Sequence, residues 1–104
     1  MNQVVDKKRI KGKIKPPKNY FVIFKNDDYT SMEFVVYALM MFFNKSQPDA
    51  ERIMLNVHSK GEGIAGLYPY QIAEQKSFEV MKEAKDHNYP LQIVLKESDW
   101  LFDY

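Results

Sequence analysis

Apolar and polar positions follow two different periods along this chain, one typical of strands and one typical of helices. Residues 20–24 are all β-branched or aromatic, which predicts a buried strand. Residues 31–43 carry apolar side chains three and four positions apart, which predicts a helix with one buried face. The expected core positions of this helix are Phe34, Val35, Ala38, Leu39 and Phe42.

Capping and turn residues predict where the elements begin and end. Thr30 and Glu33 fit a capping box at the start of the first helix, with Thr30 as the N-cap. Residues 46–49 form a second start signal, and Gly61 is a natural stop for the helix between them. Three further elements follow: a strand over 63–68, a helix over 70–88 and a strand over 91–95.

The predicted order is therefore β-α-α-β-α-β. Short strands and amphipathic helices bury their apolar faces most economically when one layer packs on another. We expect an α+β fold in which three helices cover a small three-stranded antiparallel sheet.

The composition fits one small domain without covalent cross-links. The chain has 104 residues, of which 45% are hydrophobic and none is cysteine. Disulfides, thiol nucleophiles and thiolate zinc sites are thereby excluded. No apolar stretch approaches the roughly 18–20 residues that cross a bilayer, and the first residues lack the apolar segment of a secretory signal. We expect a monomeric, cytoplasmic protein with no membrane partner.

Charge is distributed unevenly along the chain. Residues 1–18 carry seven basic side chains and one acidic side chain, a net charge of +6. The rest of the chain carries eight basic and thirteen acidic side chains, a net charge of −5. Pro16 and Pro17 mark the boundary between a flexible basic arm, 1–17, and the folded domain, 18–97. Such an arm can bind nucleic acid, an anionic membrane or an acidic protein, or it can simply be solvated. The acidic body would repel phosphates and the aromatic–basic pattern of single-strand binders is missing, so we expect no nucleic-acid partner.

Three polar residues can hold a free α-amino group. Asn26 offers a carbonyl oxygen, Asp27 a carboxylate and His58 a neutral ring nitrogen. An ammonium group needs acceptors on several sides and one anion nearby, and this set supplies both. Each residue also has a plainer interpretation, because Asn26 and Asp27 are common turn formers and a single histidine often lies at the rim of a core.

Five apolar residues can form a wall beside these acceptors. Met32 and Val35 share one helix face, as Met54 and Val57 share another. Methionine is unbranched and adapts to large apolar ligands. The alternative is that methionines at helical spacing belong to the core. The complete set is Met32, Val35, Met54, Val57 and Leu91.

Enzymatic chemistry has little support in the sequence. Two adjacent carboxylates, Asp27 and Asp28, together with the distant His58 make a weak metal signature. There is no glycine-rich phosphate loop and no metalloprotease or serine-hydrolase motif. We therefore expect a binding protein, not an enzyme, without catalytic residues, metal or cofactor.

Taken jointly, these residues resemble the ClpS family, the bacterial adaptors that deliver N-degron substrates to the ClpA or ClpC unfoldase. The resemblance covers about residues 16–96 and is strongest over 26–35, which read Asn-Asp-Asp-Tyr-Thr-Ser-Met-Glu-Phe-Val. More distant anchors recur at the family's spacing: Val57 with His58, Gly61, and Pro90 with Leu91. Because a ten-residue motif and several distant positions agree in register, the resemblance is specific.

The resemblance implies an adaptor that binds proteins with a destabilising N-terminal Leu, Phe, Tyr or Trp. Their α-ammonium would be held by Asn26, Asp27 and His58, and Met32 matches the position that excludes β-branched side chains. The N-terminal side chain would enter a pocket formed by Asp28 through its backbone, Thr30, Met32, Val35, Met54, Val57 and Leu91.

The resemblance also implies a second partner, the N-domain of a ClpA- or ClpC-type unfoldase. Lys76 matches a position on the family's docking surface, whereas Gln71 replaces the acidic residue often found there. The arm would engage the unfoldase, and the aromatic extension, 98–104, either packs on the domain, contacts a partner or is disordered. Two alternatives remain: a ClpS-like paralogue that modulates the unfoldase without binding N-degrons, and a domain that shares only the fold.

Overall fold

The structure, a computed structural model, describes residues 18–98. Its elements are β1 (Asn19–Lys25), α1 (Met32–Phe43), α2 (Gln47–Lys60), β2 (Glu62–Pro69), α3 (Tyr70–Asp86) and β3 (Gln92–Glu97). The predicted α+β fold and its β-α-α-β-α-β order are confirmed. None of these helices is both long and apolar enough to cross a membrane. The predicted basic arm and the aromatic extension after Ser98 lie outside the described residues.

The three strands form one antiparallel sheet with β1 in the middle, in the order β2-β1-β3. The last residue of β1, Lys25, pairs with Glu62 on one side and with Gln92 on the other. The Lys25 ammonium also lies 2.7 Å from a carboxylate oxygen of Glu62, an ion pair that matches this register. The end of β1 is therefore flanked by the beginnings of both other strands.

The helices pack on one face of the sheet and enclose a single core. Val22 and Phe24 of β1 are fully buried in it, together with Leu39 of α1. Four of the five core positions predicted for α1 are buried, but Phe43 takes the place expected for Phe42, which is only half-buried. The Phe43 ring lies edge-on to Phe24 at 5.6 Å between ring centres, so contact with the sheet selects Phe43.

Helix α2 lies close against β2 at Gly63. A Cβ atom at this position would lie 2.8 Å from Cγ2 of Val57 and 3.1 Å from the carbonyl oxygen of Ile53. Side chains do not tolerate the shorter of these contacts, so a glycine is needed between the strand and the helix. This close packing holds Val57, a predicted pocket residue, against the sheet.

The start of α1 corrects one prediction. Ser31, not Thr30, is the N-cap, and its hydroxyl accepts a hydrogen bond from the backbone N–H of Phe34 at 3.0 Å. Thr30 does not cap the helix because its hydroxyl donates instead to the Asp27 carboxylate. With the cap one residue later, Glu33 no longer occupies the third helical position that a capping box requires.

The other element ends differ little from the predicted ones. Ser46 caps α2 by accepting the backbone N–H of Asp49, and Gly61 ends that helix with a left-handed φ of 90°, both as predicted. Helix α3 stops at Asp86, before the predicted end, because Asn88 has a left-handed φ of 63° that a right-handed helix does not continue. Strand β3 begins one residue later and ends two residues later than predicted.

Candidate functional site

The candidate site lies at the end of the sheet where β1 leaves the core. The β1–α1 loop, residues 26–31, begins here. By the strand register, the first residue of this loop lies between Gly61, which precedes β2, and Leu91, which precedes β3. The backbone N–H of Asn26 donates to the carbonyl oxygen of Gly61 at 2.9 Å. This bond ties the loop to the C-terminal end of α2, whose last turn carries His58.

Asp27 organises the loop through three hydrogen bonds. Its Oδ1 accepts the backbone N–H groups of Tyr29 at 2.8 Å and Thr30 at 2.7 Å, and its Oδ2 accepts the hydroxyl of Thr30 at 2.7 Å. Partial burial raises the pKa of Asp27, but the hydrogen bonds together outweigh it, so the pKa is lowered from its usual value of 3.8. Asp27 is therefore ionised at neutral pH.

The same carboxylate still has room for a further donor. A carboxylate offers about four lone-pair directions, and the contacts of Asp27 with Tyr29 and Thr30 occupy three of them. The fourth direction is on Oδ2. The turn-former interpretation of Asp27 is thus correct, and it leaves a charged acceptor for a ligand.

The other predicted polar residues lie at the surface. Asn26, Asp28 and His58 are exposed, and Thr30 is half-buried. The structure brings Asn26 and Asp27 together within one loop and links that loop to the helix end that carries His58. Exposed acceptors of this kind can meet an ammonium group from several sides.

The predicted apolar wall is assembled from three separate parts of the chain. Val35 of α1, Val57 of α2 and Leu91 before β3 are 5%, 4% and 4% exposed and belong to one hydrophobic cluster. Met54 is half-buried against the same cluster. The core interpretation therefore holds for Val35, Val57 and Leu91, which contribute to stability, and their place in a ligand pocket stays a prediction.

Met32 and Met54 also line a groove between α1 and α2 that the sequence did not predict. This α1–α2 groove has a volume of about 620 Å³, and its lining includes Tyr37 and the apolar side chains of Met32, Val36, Met40, Met54 and Leu55. The α1 members are four residues apart, which places them on one helix face. That spacing was visible in the sequence, but nothing local showed that α2 would leave this face uncovered.

Lys76, the predicted docking residue, makes its contacts within the domain. Its ammonium donates to the carbonyl oxygen of Phe42 at 2.8 Å and lies 5.8 Å and 5.3 Å from the ring centres of Phe43 and Tyr68. The first contact satisfies a carbonyl group at the end of α1, and the other two are cation–π contacts. Lys76 therefore holds the end of α1 to α3, and its docking role stays a prediction.

The geometry favours a binding protein. Among residues 18–98, no group of three or more His, Asp or Glu side chains is arranged to hold a metal ion. The described residues provide one ionised acceptor, exposed polar groups and an apolar groove within a small α+β domain. Such features suit the binding of a ligand with a cationic group next to an apolar one.

Similarity to known proteins shows to which family of binding proteins this chain belongs. A sequence profile described as ATP-dependent Clp protease adaptor protein ClpS matches residues 15–94. The ATP-dependent Clp protease adapter protein ClpS of Caulobacter vibrioides is 50% identical over 88 residues, which cover 85% of this chain and 81% of that protein. The protein of the same name from Shewanella denitrificans is 45% identical over 92 residues, which cover 88% of this chain and 90% of that protein. This chain belongs to the ClpS family, as the sequence predicted.

A solved structure agrees with the fold. Agrobacterium tumefaciens ClpS2 bound to L-phenylalaninamide matches with a TM-score of 0.77 and 32% identity, over 80% of this chain and all of that one. The relatives are named as adaptors of a protease, which fits the expected non-enzymatic role.

Proposed function

We propose that this chain binds proteins that begin with Leu, Phe, Tyr or Trp and delivers them to a ClpA- or ClpC-type unfoldase in the cytoplasm. The observation that carries the proposal is the ionised carboxylate of Asp27 in the loop after β1, five residues before Met32, which lines an apolar groove between α1 and α2. The ligand of the related ClpS2 supports it, because L-phenylalaninamide combines a free α-amino group with an aromatic side chain. Binding of this kind needs no covalent step, so the chain acts as an adaptor and not as an enzyme.

The polar half of the site holds the α-ammonium group. Asn26 accepts through its side-chain carbonyl, Asp27 through the remaining lone pair of Oδ2, and His58 through a neutral ring nitrogen. Each charge-assisted hydrogen bond contributes roughly 1.5–3 kcal/mol before entropy losses. Acetylation of the N-terminus removes the charge and two donors, so an acetylated ligand should bind weakly.

The apolar half receives the first side chain of the ligand. Its surface consists of Asp28 through its backbone, Thr30, Met32, Val35, Met54, Val57 and Leu91. Burial of a large apolar side chain contributes about 1.5–3 kcal/mol. Met32, which is 43% exposed on the first turn of α1, narrows the entrance, so β-branched side chains with their stiff χ1 angle are excluded. Both halves together make micromolar affinity reasonable.

The second partner is the N-domain of the unfoldase. The surface around Lys76 docks on that domain, and Lys76 supports it by holding α1 against α3. The basic arm, 1–17, engages the unfoldase.

A fluorescence-anisotropy titration with four short peptides tests the proposal. The peptides begin with Phe, N-acetylated Phe, Val and Met and are otherwise identical. We expect tight binding of the free Phe peptide and weak binding of the other three. The acetylated peptide tests the amine requirement, and the Val peptide tests the exclusion of β-branched side chains by Met32.

Equal or absent binding of all four peptides would refute the proposal. A pull-down with an unfoldase N-domain then distinguishes the remaining alternatives. Binding of that domain without binding of the Phe peptide would indicate a paralogue that modulates the unfoldase and does not recognise N-degrons.

A further inference from the structure

The three helices pack on one face of the sheet, and among residues 18–98 no helix covers the other face. Val22 and Phe24 of β1 are fully buried in the core between the sheet and the helices. Successive side chains of a strand point to opposite faces. Phe21 and Ile23 therefore point away from the helices.

The strand register extends this second face across all three strands. Ile23 pairs with Ile64 of β2 and with Val94 of β3, and Phe21 pairs with Leu67 of β2. Paired residues of antiparallel strands project to the same side. Ile64, Leu67 and Val94 are 51%, 44% and 43% exposed. These five residues, which we call the outer sheet face, form a contiguous apolar patch of the kind that marks an interaction surface.

Two lysines lie at the margin of the outer sheet face. Lys96 is exposed and pairs with Phe21 in the strand register. Lys25 is two residues beyond Ile23, on the same side of β1, and its ammonium contacts the Glu62 carboxylate at 2.7 Å. The face therefore suits an apolar segment that carries acidic side chains and no basic ones.

The chain has such a segment directly beside the outer sheet face. The structure describes the chain as far as Ser98, whose backbone N–H donates to the carbonyl oxygen of Asn19 at 2.9 Å. Asn19 is two residues from Phe21, so residues 99–104 follow at the edge of the face. Six residues of extended chain span about 20 Å, at about 3.3 Å each, whereas three strands are about 10 Å wide. The segment is long enough to cross the patch.

The sequence of this segment fits the outer sheet face. Trp100, Phe102 and Tyr104 alternate with other residues, so an extended chain presents all three aromatic rings on one side. The two charged side chains of the segment, Asp99 and Asp103, are both acidic and complement the two lysines at the margin. The basic arm at the other end of the chain would be repelled by those lysines.

We propose that the aromatic extension, 98–104, folds back across the outer sheet face and buries Trp100 and Phe102 against it. Burial of a large apolar side chain contributes favourably to folding. Because the extension is tethered at the edge of the face, its effective concentration there is about millimolar, which favours it over a second copy of the chain. No residue of the outer sheet face belongs to the proposed pocket, so the extension leaves that pocket free.

Tryptophan fluorescence tests the proposal, because Trp100 is the only tryptophan of the chain. A ring that is packed against the sheet is shielded from water and from a dissolved quencher. In the folded full-length chain we expect a blue-shifted emission maximum, compared with the same chain unfolded in denaturant. Quenching by acrylamide should also be severalfold weaker in the folded chain.

Two double variants distinguish the sheet from other apolar surfaces. Ile64→Gln combined with Leu67→Gln removes two apolar side chains from the outer sheet face and should raise the quenching of Trp100 towards the unfolded value. Met41→Gln combined with Leu55→Gln changes two residues of α1 and α2 that are 65% and 56% exposed, and it should leave the quenching unchanged. Circular dichroism during denaturant unfolding shows that both double variants are folded.

A variant in the extension keeps the test decisive if the change in β2 prevents folding. Phe102→Gln alters the extension alone and leaves every residue of the folded domain in place. It should raise the quenching of Trp100, because one of the two rings that hold the extension to the sheet is lost.

Three results would overturn the proposal. The first is quenching of Trp100 that is as strong in the folded chain as in the unfolded one. The second is an equal response to both double variants, or no response to either, because the extension would then pack elsewhere. The third is a dimer in sedimentation that the sheet variant dissociates, because a second copy would then cover the outer sheet face.

Discussion

The two halves of the candidate site are built from the chain in opposite ways. The polar half is local, since Asp27 binds residues only two and three positions further on. The apolar half is remote, since Val35, Val57 and Leu91 come from three separate parts of the chain and meet in the core. Changes in the loop should therefore affect binding more than stability, whereas changes in the apolar half should affect stability strongly as well.

The largest effect is expected at Leu91. Leu91→Ala should lower the free energy of unfolding by about 2–5 kcal/mol, because it leaves a cavity in the core. Denaturant unfolding measures this change. Leu67→Ala is the matched control, since Leu67 is 44% exposed on β2 and its loss should change stability by less than about 1 kcal/mol. A similar small change for both variants would show that the apolar half is not part of the core.

A smaller and mainly functional effect is expected at Asp27. Asp27→Asn keeps an oxygen that can accept the backbone N–H groups but removes the charge. Binding of a peptide with N-terminal Phe should weaken about ten- to a hundredfold, with little change in denaturant unfolding. Asp28→Asn is the control, because the Asp28 side chain is exposed and only its backbone is proposed to contact the ligand. Equal weakening in both variants would argue against a specific role of the Asp27 carboxylate.

The smallest effect is expected in the pH dependence of stability. The pKa of Asp27 is lowered in the folded protein, so its contribution to stability is present above its usual pKa of 3.8 and is lost as the pH falls through the lower folded value. Unfolding measured from pH 5 to pH 2 should show a smaller loss of stability in Asp27→Asn than in the unaltered chain. Parallel curves would indicate that the loop hydrogen bonds do not favour the ionised form.

Part of that acid-induced loss should persist in the variant. Hydrogen bonds from Arg52 and Lys25 lower the pKa values of Asp49 and Glu62, respectively, and these pairs are unaffected by the change at Asp27. Their contribution is therefore common to both curves, and the difference between the curves reports on Asp27.

Local signals in the sequence predicted the elements well. The Ser46 cap and the Gly61 stop of α2 are set by nearby backbone groups, and both are observed. The start of α1 was misplaced by one residue because Thr30 and Ser31 are both acceptable caps. The neighbouring Asp27 decides between them by accepting the Thr30 hydroxyl. The buried aromatic residue of α1 was also misjudged, since contact with Phe24 of the sheet selects Phe43.

The sequence by itself determined the family, the α+β fold class, the order of the elements and the chemical groups at the end of β1. These follow from short-range periodicity, capping and a motif of consecutive residues. Only the tertiary structure decided how those groups meet: the bond from Asn26 to Gly61, the burial of Leu91 and the exposed groove along Met40. Strand register and helix packing are long-range properties, because they depend on contacts between residues far apart in the chain.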